Sequence, residues 1–456
     1  MPEKKESLRK ELSFISMISI ACGAVIGGWL AEAPYWFSIT GAGAAWIFPL
    51  LAFLLIPVGL AFAELSAMLP FSSAVDVWTT NAFGHGVGWI MQWMMFLVQV
   101  VEPPMMAFIF ITAIDFFFPI PKELQVYVAI GIVFVWYVLS NFDISLTGML
   151  SNIFFFGMVG MSLVVATVFL THPSWSMTNI TAHGGFFPAG GGGIFIAMAV
   201  FSLKFIGFEM TPTMIEEVNF PVRKMGLVIL AALFIPAILY AIVVLAMGGL
   251  APWEEIAKMS MPEPELVRKL GLPGVVAILA ITGGVLHALT TLMGFWTSSA
   301  RVLYGAAQLN QLPKFFQKLN SHGQPYLSNL TVLLFSVFFC AFTGDNWVQY
   351  IYAVSCIAAG VVYLFCCLDA LVLRKKHPEW NRPYRYPGET LIPVLGSLIS
   401  VWIIIGSMRE LPIGGYVSLA IYFAIGLVPP ILMGVYRKMS PKDHQLVCLT
   451  PDDIGK

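Results

Sequence analysis

The sequence predicts an all-α integral membrane protein with twelve transmembrane helices, and three observations support this fold class. Of the 456 residues, 58% are hydrophobic and only 11% are charged, whereas soluble domains carry about 25% charged residues. The mean hydropathy is +0.83. Apolar runs long enough to cross a bilayer as helices recur along almost the whole chain. A soluble protein could not cover this much apolar surface with so few charges.

The twelve spans are placed by the apolar runs and by the polar segments that separate them. Their predicted positions are 13–38, 44–69, 88–117, 124–140, 148–170, 191–213, 226–250, 275–303, 328–343, 347–373, 391–408 and 414–436. An even number of spans puts both termini on one side of the membrane. Around Glu254–Lys269, a polar segment of mixed charge predicts a short surface helix between two spans.

The distribution of basic residues predicts that the termini are cytoplasmic. In that orientation, 18 of the 24 basic residues lie inside and five lie outside, which leaves Lys204 within the sixth span. Cytoplasmic segments of membrane proteins carry such an excess of lysine and arginine. We therefore expect a multi-pass protein of the cytoplasmic (plasma) membrane, surrounded by the lipid bilayer, with cytoplasmic tails at 1–12 and 437–456.

The N-terminus also has some features of a secretory signal peptide. Basic residues precede an apolar run, and Ala31-Glu32-Ala33 has the form of a cleavage site. However, Pro34 would follow the cut, and the apolar run from Leu12 to Leu30 is long. An uncleaved first span is therefore the favoured interpretation.

Several function classes are disfavoured by what the sequence contains. The net charge of −1 gives no basic surface for nucleic acid. We find no HExxH or GxSxG motif, no paired histidines and no zinc or nucleotide motif, so we expect neither an enzyme nor a cofactor. The sequence has no repeated filter segment of the kind that a channel would need. The oligomeric state is left open.

Two spans contain glycine-rich interruptions at corresponding positions in the two halves of the chain. The first span contains Gly23–Gly28, and the sixth contains Ile206-Gly207-Phe208-Glu209. Matched broken helices mark the substrate site of transporters, because unwound backbone frees N–H and C=O groups for charged ligands. Close helix packing is the alternative for either motif alone. The matched pair favours broken helices.

Motifs along the chain resemble those of the amino acid–polyamine–organocation superfamily of permeases. They are Gly23–Gly28, Ala63–Pro70, Ile206–Glu209, Glu216–Asn219, Ser298–Tyr304, Leu312-Pro313 and Arg382–Tyr384 with Pro387. Together they cover about residues 12 to 436. The resemblance implies a leucine-transporter-like fold within a transporter domain at 13–436. In that fold, 13–170 and 191–373 would be two inverted five-helix repeats, and 391–436 would hold the two C-terminal helices.

The resemblance implies a secondary active transporter that moves amino acids or related amines by alternating access, as a proton-coupled symporter or an exchanger. It places backbone of the first span at the substrate carboxylate and the sixth span at its amino group. The candidate substrate-binding residues are Ala24, Val25, Ile26, Gly27, Gly28, Glu102, Leu203, Lys204, Ile206, Gly207, Phe208 and Trp296. A sodium-coupled amino acid symporter and a transporter-like sensor or channel are the alternatives.

Four ionisable residues are predicted at membrane depth: Glu64, Glu102, Lys204 and Glu209. Each costs at least about 2.5–3.5 kcal/mol there and is thus a functional candidate. Glu209 is either a proton-sensitive gate or a carboxylate that caps freed N–H groups. Glu102 and Lys204 are hypothesised to pair, or to contact the substrate together. Because Asn152–Val159 lacks the lysine that some proton-coupled members carry in the fifth helix, a sharper hypothesis gives Lys204 that coupling role.

Glu64, a third candidate for proton coupling or gating beside Lys204 and Glu209, and the hydroxyls of the eighth span complete the list of candidates. Glu64 is expected to join a cytoplasmic-side network, with Arg301 as its candidate partner, or to be a plain interfacial charge. Thr297, Ser298 and Ser299 are candidate sodium ligands together with carbonyls of the first span, and packing of small residues is the alternative.

The charge of the substrate is left open. Glu102 alone would suit a cationic group, Lys204 alone an acidic one, and a neutralised pair a neutral amino acid.

Overall fold

The computed structural model describes residues 8–454, apart from 182, 183, 185 and 343–346. These residues form helices joined by turns and loops, with one isolated β-bridge between Leu12 and Val218. The helices of the first half are α1 (Phe14–Ile26), α2 (Trp29–Thr40), α3 (Ala44–Met68), α4 (Val75–Phe83), α5 (His85–Val100), α6 (Glu102–Asp115), α7 (Lys122–Leu139), α8 (Ile144–Leu170), α9 (Met177–Thr181) and α10 (Gly190–Val200).

The second half continues from two 3-10 segments, Phe201–Phe205 and Phe208–Glu217. Its helices are α11 (Met225–Gly248), α12 (Trp253–Ile256), α13 (Pro262–Lys269), α14 (Gly274–Gln308), α15 (Tyr326–Phe342), α16 (Trp347–Lys376), α17 (Leu391–Glu410), α18 (Ile413–Gly426) and α19 (Val428–Met439). The surface helix predicted between the seventh and eighth spans is present as α12 and α13.

The apolar helices agree with the positions of the predicted spans. Ten helical segments in the described part of the chain are long and apolar enough to cross a membrane, with α2 and α3 joined as one of them. Phe14–Ile26 and Tyr326–Ala341 are shorter apolar helices. Large apolar side chains cover the outside of the bundle, as at Phe156, Leu398 and Ile431, which are 60–65% exposed. Such a surface suits lipid and would be unstable in water.

Both tails lie on the same face of the bundle, here called the tail face. Arg9 pairs with Asp143 at 2.7 Å, just before α8, and also reaches the carbonyl of Ser321 between α14 and α15. At the other end of the chain, the Val447 N–H donates to the Leu309 carbonyl, where α14 ends. The loop that follows α14 is therefore in contact with both tails. That this face is cytoplasmic stays a prediction.

The glycine motifs interrupt two helices where the sequence predicts it. The first span consists of α1 and α2, separated by Gly27 with φ 55° and by Gly28. In the sixth span the α-helix becomes 3-10 after Val200, Ile206 is extended, and Gly207 has φ 136°. Positive φ is adopted readily by glycine alone, so these residues set where the helical hydrogen-bond ladder stops. The predicted broken helices are confirmed.

The third span, predicted as one continuous helix, is divided into α5 and α6 at Val101. Pro103 and Pro104 follow in the first turn of α6. A proline has no N–H, so neither can bond to the carbonyl four residues earlier. This local gap places Glu102 at the first position of α6, where the chain passes the two broken helices.

Candidate functional site

The two broken helices touch each other at their breaks. A Cβ on Gly207 would lie 2.9 Å from Val25 Cγ2 and 3.0 Å from the Val25 nitrogen. Only a glycine fits this close approach, and its φ of 136° also favours glycine. The backbone freed at both interruptions is therefore gathered in one place, as the matched motifs predict.

The break in the first span is filled by a buried ion pair from two different helices. Lys204 Nζ lies 2.7 Å from Glu32 Oε2, and both side chains are at most 2% exposed. Glu32 Oε1 also accepts the Gly28 N–H at 3.2 Å. The ammonium lies so close to Gly27 that a Cβ there would be 2.5 Å from Nζ.

Aromatic rings line the space around this ammonium. Lys204 Nζ is 5.7 Å from the ring centroids of both Trp36 and Tyr240, a distance at which cation–π attraction operates. The Tyr240 hydroxyl is 2.6 Å from the carbonyls of Val25 and Ile26, so it can donate to the unwound backbone of the first break. The site thus combines free backbone, charge and aromatic faces.

The hypothesised pair between Glu102 and Lys204 is wrong, because Lys204 pairs with Glu32. The Glu102 carboxylate instead accepts a hydrogen bond from Ser355 Oγ at 2.9 Å. Glu102 is still part of the same group, since the charges of Lys204, Glu32 and Glu209 all act on it. Together we call Glu32, Glu102, Lys204 and Glu209 the break cluster. Each of the four residues is at most 3% exposed.

Glu209 caps the break in the sixth span. Its two carboxylate oxygens accept the Gly207 N–H at 2.8 and 3.0 Å. The Tyr363 hydroxyl donates to it at 3.1 Å, and Gln99 Nε2 does so at 3.4 Å. These contacts agree with the capping role that was one of the two alternatives for Glu209. Its role as a proton-sensitive gate stays a prediction.

The hydroxyls that reach the first break differ from those that the sequence suggested. Thr291 Oγ1 is 3.0 Å from the carbonyl of Gly23, and Thr290 Oγ1 is 3.2 Å from the same oxygen. Ser298 is hydrogen-bonded to Thr213 instead. Ser299 donates within its own helix, to the carbonyl of Phe295. The hydroxyls that contact the first-span carbonyls therefore lie about two turns earlier along α14 than the expected residues 297–299.

The remaining predicted substrate residues fall into two groups. Leu203, Ile206 and Phe208 lie in or beside the second break, and all are buried. Trp296 lies elsewhere: its indole nitrogen donates to Asn329 on α15 at 3.2 Å. Sequence could place Trp296 in the eighth span but could not show which way its ring turns. The break region as a whole is closed to solvent.

A second set of charges lies towards the tail face, and we call it the tail-face network. Arg301 forms a two-point ion pair with Glu217, at 2.7 and 3.0 Å, and also donates to Gln324. Glu64 is bound by Arg374, with Nε 2.8 Å from Oε1, so the suggested Arg301 partner is wrong. The expectation of a network around Glu64 is otherwise confirmed, because Arg382 also lies 3.5 Å from it.

Sequence reasoning missed Glu32, which it noted only as part of an apparent cleavage motif. A buried chain of contacts on the side opposite the tails was missed as well. Glu263 in α13 accepts the Trp29 indole N–H at 3.2 Å, and the Trp29 ring packs edge-on against His287 at 3.9 Å. Burial raises the pKa of Glu263 to about 7, although the Trp29 hydrogen bond opposes this. The sequence feature that could have pointed to Glu263 was its position between two prolines, in a Pro-Glu-Pro segment of the predicted surface helix.

Comparisons with known proteins give one consistent result. A family model described as amino acid permease matches residues 12–433. The γ-aminobutyric acid permease of Bacillus subtilis (strain 168) is 25% identical over 442 residues, which are 92% of this chain and 93% of that protein. The branched-chain amino acid permease of the same strain is 23% identical, covering 97% and 96%. The aspartate-proton symporter of that strain is 22% identical, covering 96% and 86%.

Proposed function

The chain belongs to the amino acid permease family, and on that premise we propose that it is a secondary active transporter of amino acids or related amines. It works by alternating access across the cytoplasmic membrane, with twelve spans and cytoplasmic tails. Its first ten spans form two inverted five-helix repeats, 13–170 and 191–373. The contact between the breaks at Gly27 and Gly207 supports this proposal most directly, because broken helices at the centre of two repeats form the substrate site of such carriers.

The substrate lies between the two breaks in this proposal. Freed backbone of 24–28 and of Leu203–Phe208 lines it, together with the Glu102 carboxylate. Since Lys204 fills the space beside Gly27, substrate entry requires its side chain to move. Lys204 is thus both a contact residue and a gate. The broad coverage of relatives that carry transporter names supports transport over sensing or conduction.

Protons are the proposed coupling ion. Glu209 and Lys204 are the coupling groups, because each is a buried ionisable side chain directly at a break. Protonation of Glu209 would release the Gly207 N–H that its carboxylate now holds, and deprotonation of Lys204 would release Glu32. Either event changes the contacts that keep the breaks closed. A relative of 22% identity is named as a proton symporter, which supports the same ion. Glu64 acts further from the substrate, within the tail-face network.

Uptake into proteoliposomes tests this proposal. The purified protein should concentrate a radiolabelled amino acid or amine when the outside is made acidic, and a proton ionophore should abolish the accumulation. Lys204→Met should bind substrate yet no longer concentrate it. Glu209→Gln should flatten the pH dependence of uptake. Full concentrative transport by both variants would contradict the coupling roles, and absence of any uptake by wild type would contradict transport.

Sodium coupling is a second candidate, supported by one observation. The hydroxyls of Thr290 and Thr291 lie against the carbonyls of Gly23 and Ala24, so several uncharged oxygens converge where α14 passes the first break. Hard cations prefer such ligands. Replacement of external sodium by choline distinguishes the two ions. Sodium coupling predicts loss of uptake in choline and a further loss in Thr291→Val, whereas proton coupling predicts no change in choline.

A further inference from the structure

Resting on the proposed transport function, we propose that the break cluster selects organic amines that lack a carboxylate over amino acids with the same amino-bearing side chain. The proposal comes from the contacts of Glu32, Glu102 and Gln99 at the breaks. It names the substrate class that the sequence left open between cationic, acidic and neutral molecules.

A carboxylate of the protein already occupies the start of α2. The first N–H after the break, that of Gly28, is donated to Glu32 Oε1. The other oxygen of Glu32 is bound by the Lys204 ammonium at 2.7 Å. A half-helix N-terminus in a carrier holds an anionic substrate group by such donors. Here the protein supplies the anion itself, so a substrate carboxylate would meet an occupied and negatively charged position.

Acidic groups outnumber basic groups in the break cluster. The break cluster holds three carboxylates but one ammonium. Within the described chain, the other buried basic side chains of the helices have partners elsewhere, since Arg301 binds Glu217 and Arg374 binds Glu64. Buried charge of one sign is costly at membrane depth. A surplus buried carboxylate is neutralised either by a proton or by a cationic ligand, whereas a ligand that adds a further carboxylate increases the cost.

A buried acceptor lies beside the cluster. Gln99 Nε2 lies 3.4 Å from Glu209 Oε1, and the ionised carboxylate can only accept, which assigns the nitrogen of the amide to that side. This leaves Gln99 Oε1, which is buried and has no hydrogen-bond partner among the residues that the structure describes. Gln99 lies one turn before Glu102 along the third span. An unused carbonyl oxygen near a carboxylate suits an ammonium group, which has three N–H donors and accepts none.

Pairs of molecules that differ by one carboxylate test the proposal directly. Agmatine and arginine, putrescine and ornithine, and cadaverine and lysine are such pairs. Wild-type protein in proteoliposomes should take up the decarboxylated member at least about 10-fold more efficiently than its partner, a preference of about 1.4 kcal/mol. Equal uptake of the two members, or preference for the amino acid, would overturn the inference.

Variants of the break cluster test whether its residues cause the preference for amines over amino acids. Glu102→Gln should lower the affinity for amines about 10-fold or more, and Glu102→Asp should restore part of it. Glu32→Gln together with Lys204→Met removes both members of the ion pair, so neither is left without its partner, and the preference against the carboxylate should shrink. Unchanged pair preferences in both variants would contradict the assignment.

Asp369→Asn is the matched control. Asp369 is also a fully buried carboxylate, but it accepts from Thr79 Oγ1 at 2.7 Å, away from the breaks. Its substitution should leave the pair preference as in wild type, and a changed preference would count against the cluster as the source. If wild type transports neutral or acidic amino acids but no amine, the inference fails and transport stands. If it transports none of these molecules, both fail.

Discussion

The break cluster and the tail-face network are both buried and charged, but they are built differently. In the tail-face network each carboxylate has an arginine: Glu217 is held by Arg301 at two points, and Glu64 by Arg374. In the break cluster, the one lysine pairs with Glu32. Glu102 and Glu209 are held by hydroxyl, amide and backbone donors instead. Arginine presents a rigid, permanently charged fork, whereas lysine is a flexible point charge that can lose its proton.

The difference indicates which region is fixed and which must change. A buried ion pair that is held at two points, such as Arg301–Glu217, resists separation, as expected for a structural closure at one face. A cluster with surplus carboxylates is less stable when empty and is stabilised by an added cation. Stability is therefore expected to depend chiefly on the tail-face network, and transport chiefly on the break cluster.

The largest expected effect on stability is in the tail-face network. Arg301→Ala leaves the buried Glu217 without its counterion, which costs about 3–5 kcal/mol of folding free energy. Arg9→Ala is the control, because the Arg9–Asp143 pair is exposed and worth about 0–1 kcal/mol. Thermal melting in detergent should show a large fall in Tm for the first variant and almost none for the second. Equal Tm values for Arg301→Ala and Arg9→Ala would show that the tail-face network does not carry the stability assigned to it.

The next largest effect concerns the contact between the breaks. Gly207→Ala puts a Cβ 2.9 Å from Val25 Cγ2 at a φ of 136°, a conformation that costs about 1–3 kcal/mol for other residues. Uptake should fall by about 10-fold or more. Gly160→Ala in α8 has open space around the new Cβ and should be neutral or slightly stabilising. If Gly207→Ala took up substrate as fast as wild type, the close approach of Gly207 to Val25 would not be required for transport.

A smaller, pH-dependent effect is expected at Glu263. Because the folded protein raises its pKa from 4.5 to about 7, the folded state binds the proton more tightly than the unfolded chain. Its contribution to stability is full below pH 4.5 and is lost as the pH rises through 7, with a span of about 2–4 kcal/mol. Glu263→Gln should weaken this dependence of Tm on pH.

The pKa of Asp76 in α4 is likewise raised to about 7 by burial, so some slope should remain in Glu263→Gln. A slope in Glu263→Gln identical to that of wild type would show that folding does not shift the pKa of this carboxyl.

The smallest effect is expected at the hydroxyls of α14. Thr291→Val removes the hydrogen bond to the Gly23 carbonyl at the first break, worth about 0.5–1.5 kcal/mol. Thr331→Val in α15 loses only a bond to its own helix, from Oγ1 to the Leu327 carbonyl. We expect a modest rise in the substrate concentration for half-maximal uptake in the first variant alone. The same half-maximal concentration in both variants would show that the hydrogen bond from Thr291 to Gly23 does not affect substrate binding.

The sequence predicts the helices and the breaks because both are encoded locally. An apolar run of bilayer length and a glycine that requires positive φ are properties of neighbouring residues, so Gly27 and Gly207 could be found without a structure. Pairing is different. Lys204 and Glu32 are 172 positions apart, and nothing along one chain states which carboxylate a buried lysine faces. Glu102 was the more conspicuous candidate, since prolines follow it.

The same limit explains the other corrections. Glu64 and Arg301 were joined because both were expected near the inner face, but several arginines lie there and only the fold assigns Arg374 to Glu64. The hydroxyls of the eighth span recur along one helix, so their level relative to the first break depends on how two helices slide past each other. Glu32 was overlooked because a single charge near an apolar run also fits an interfacial or cleavage motif.

The most direct test of the central claim compares substrate-free Glu102→Gln with wild type. Removing one surplus carboxylate should leave the Tm unchanged or raise it, while amine uptake per folded molecule falls about 10-fold or more. That outcome would show that the charge is kept for the ligand at a cost in stability. A Tm that falls as far as that of Arg301→Ala would contradict the account, because Glu102 would then be a structural charge like those of the tail-face network.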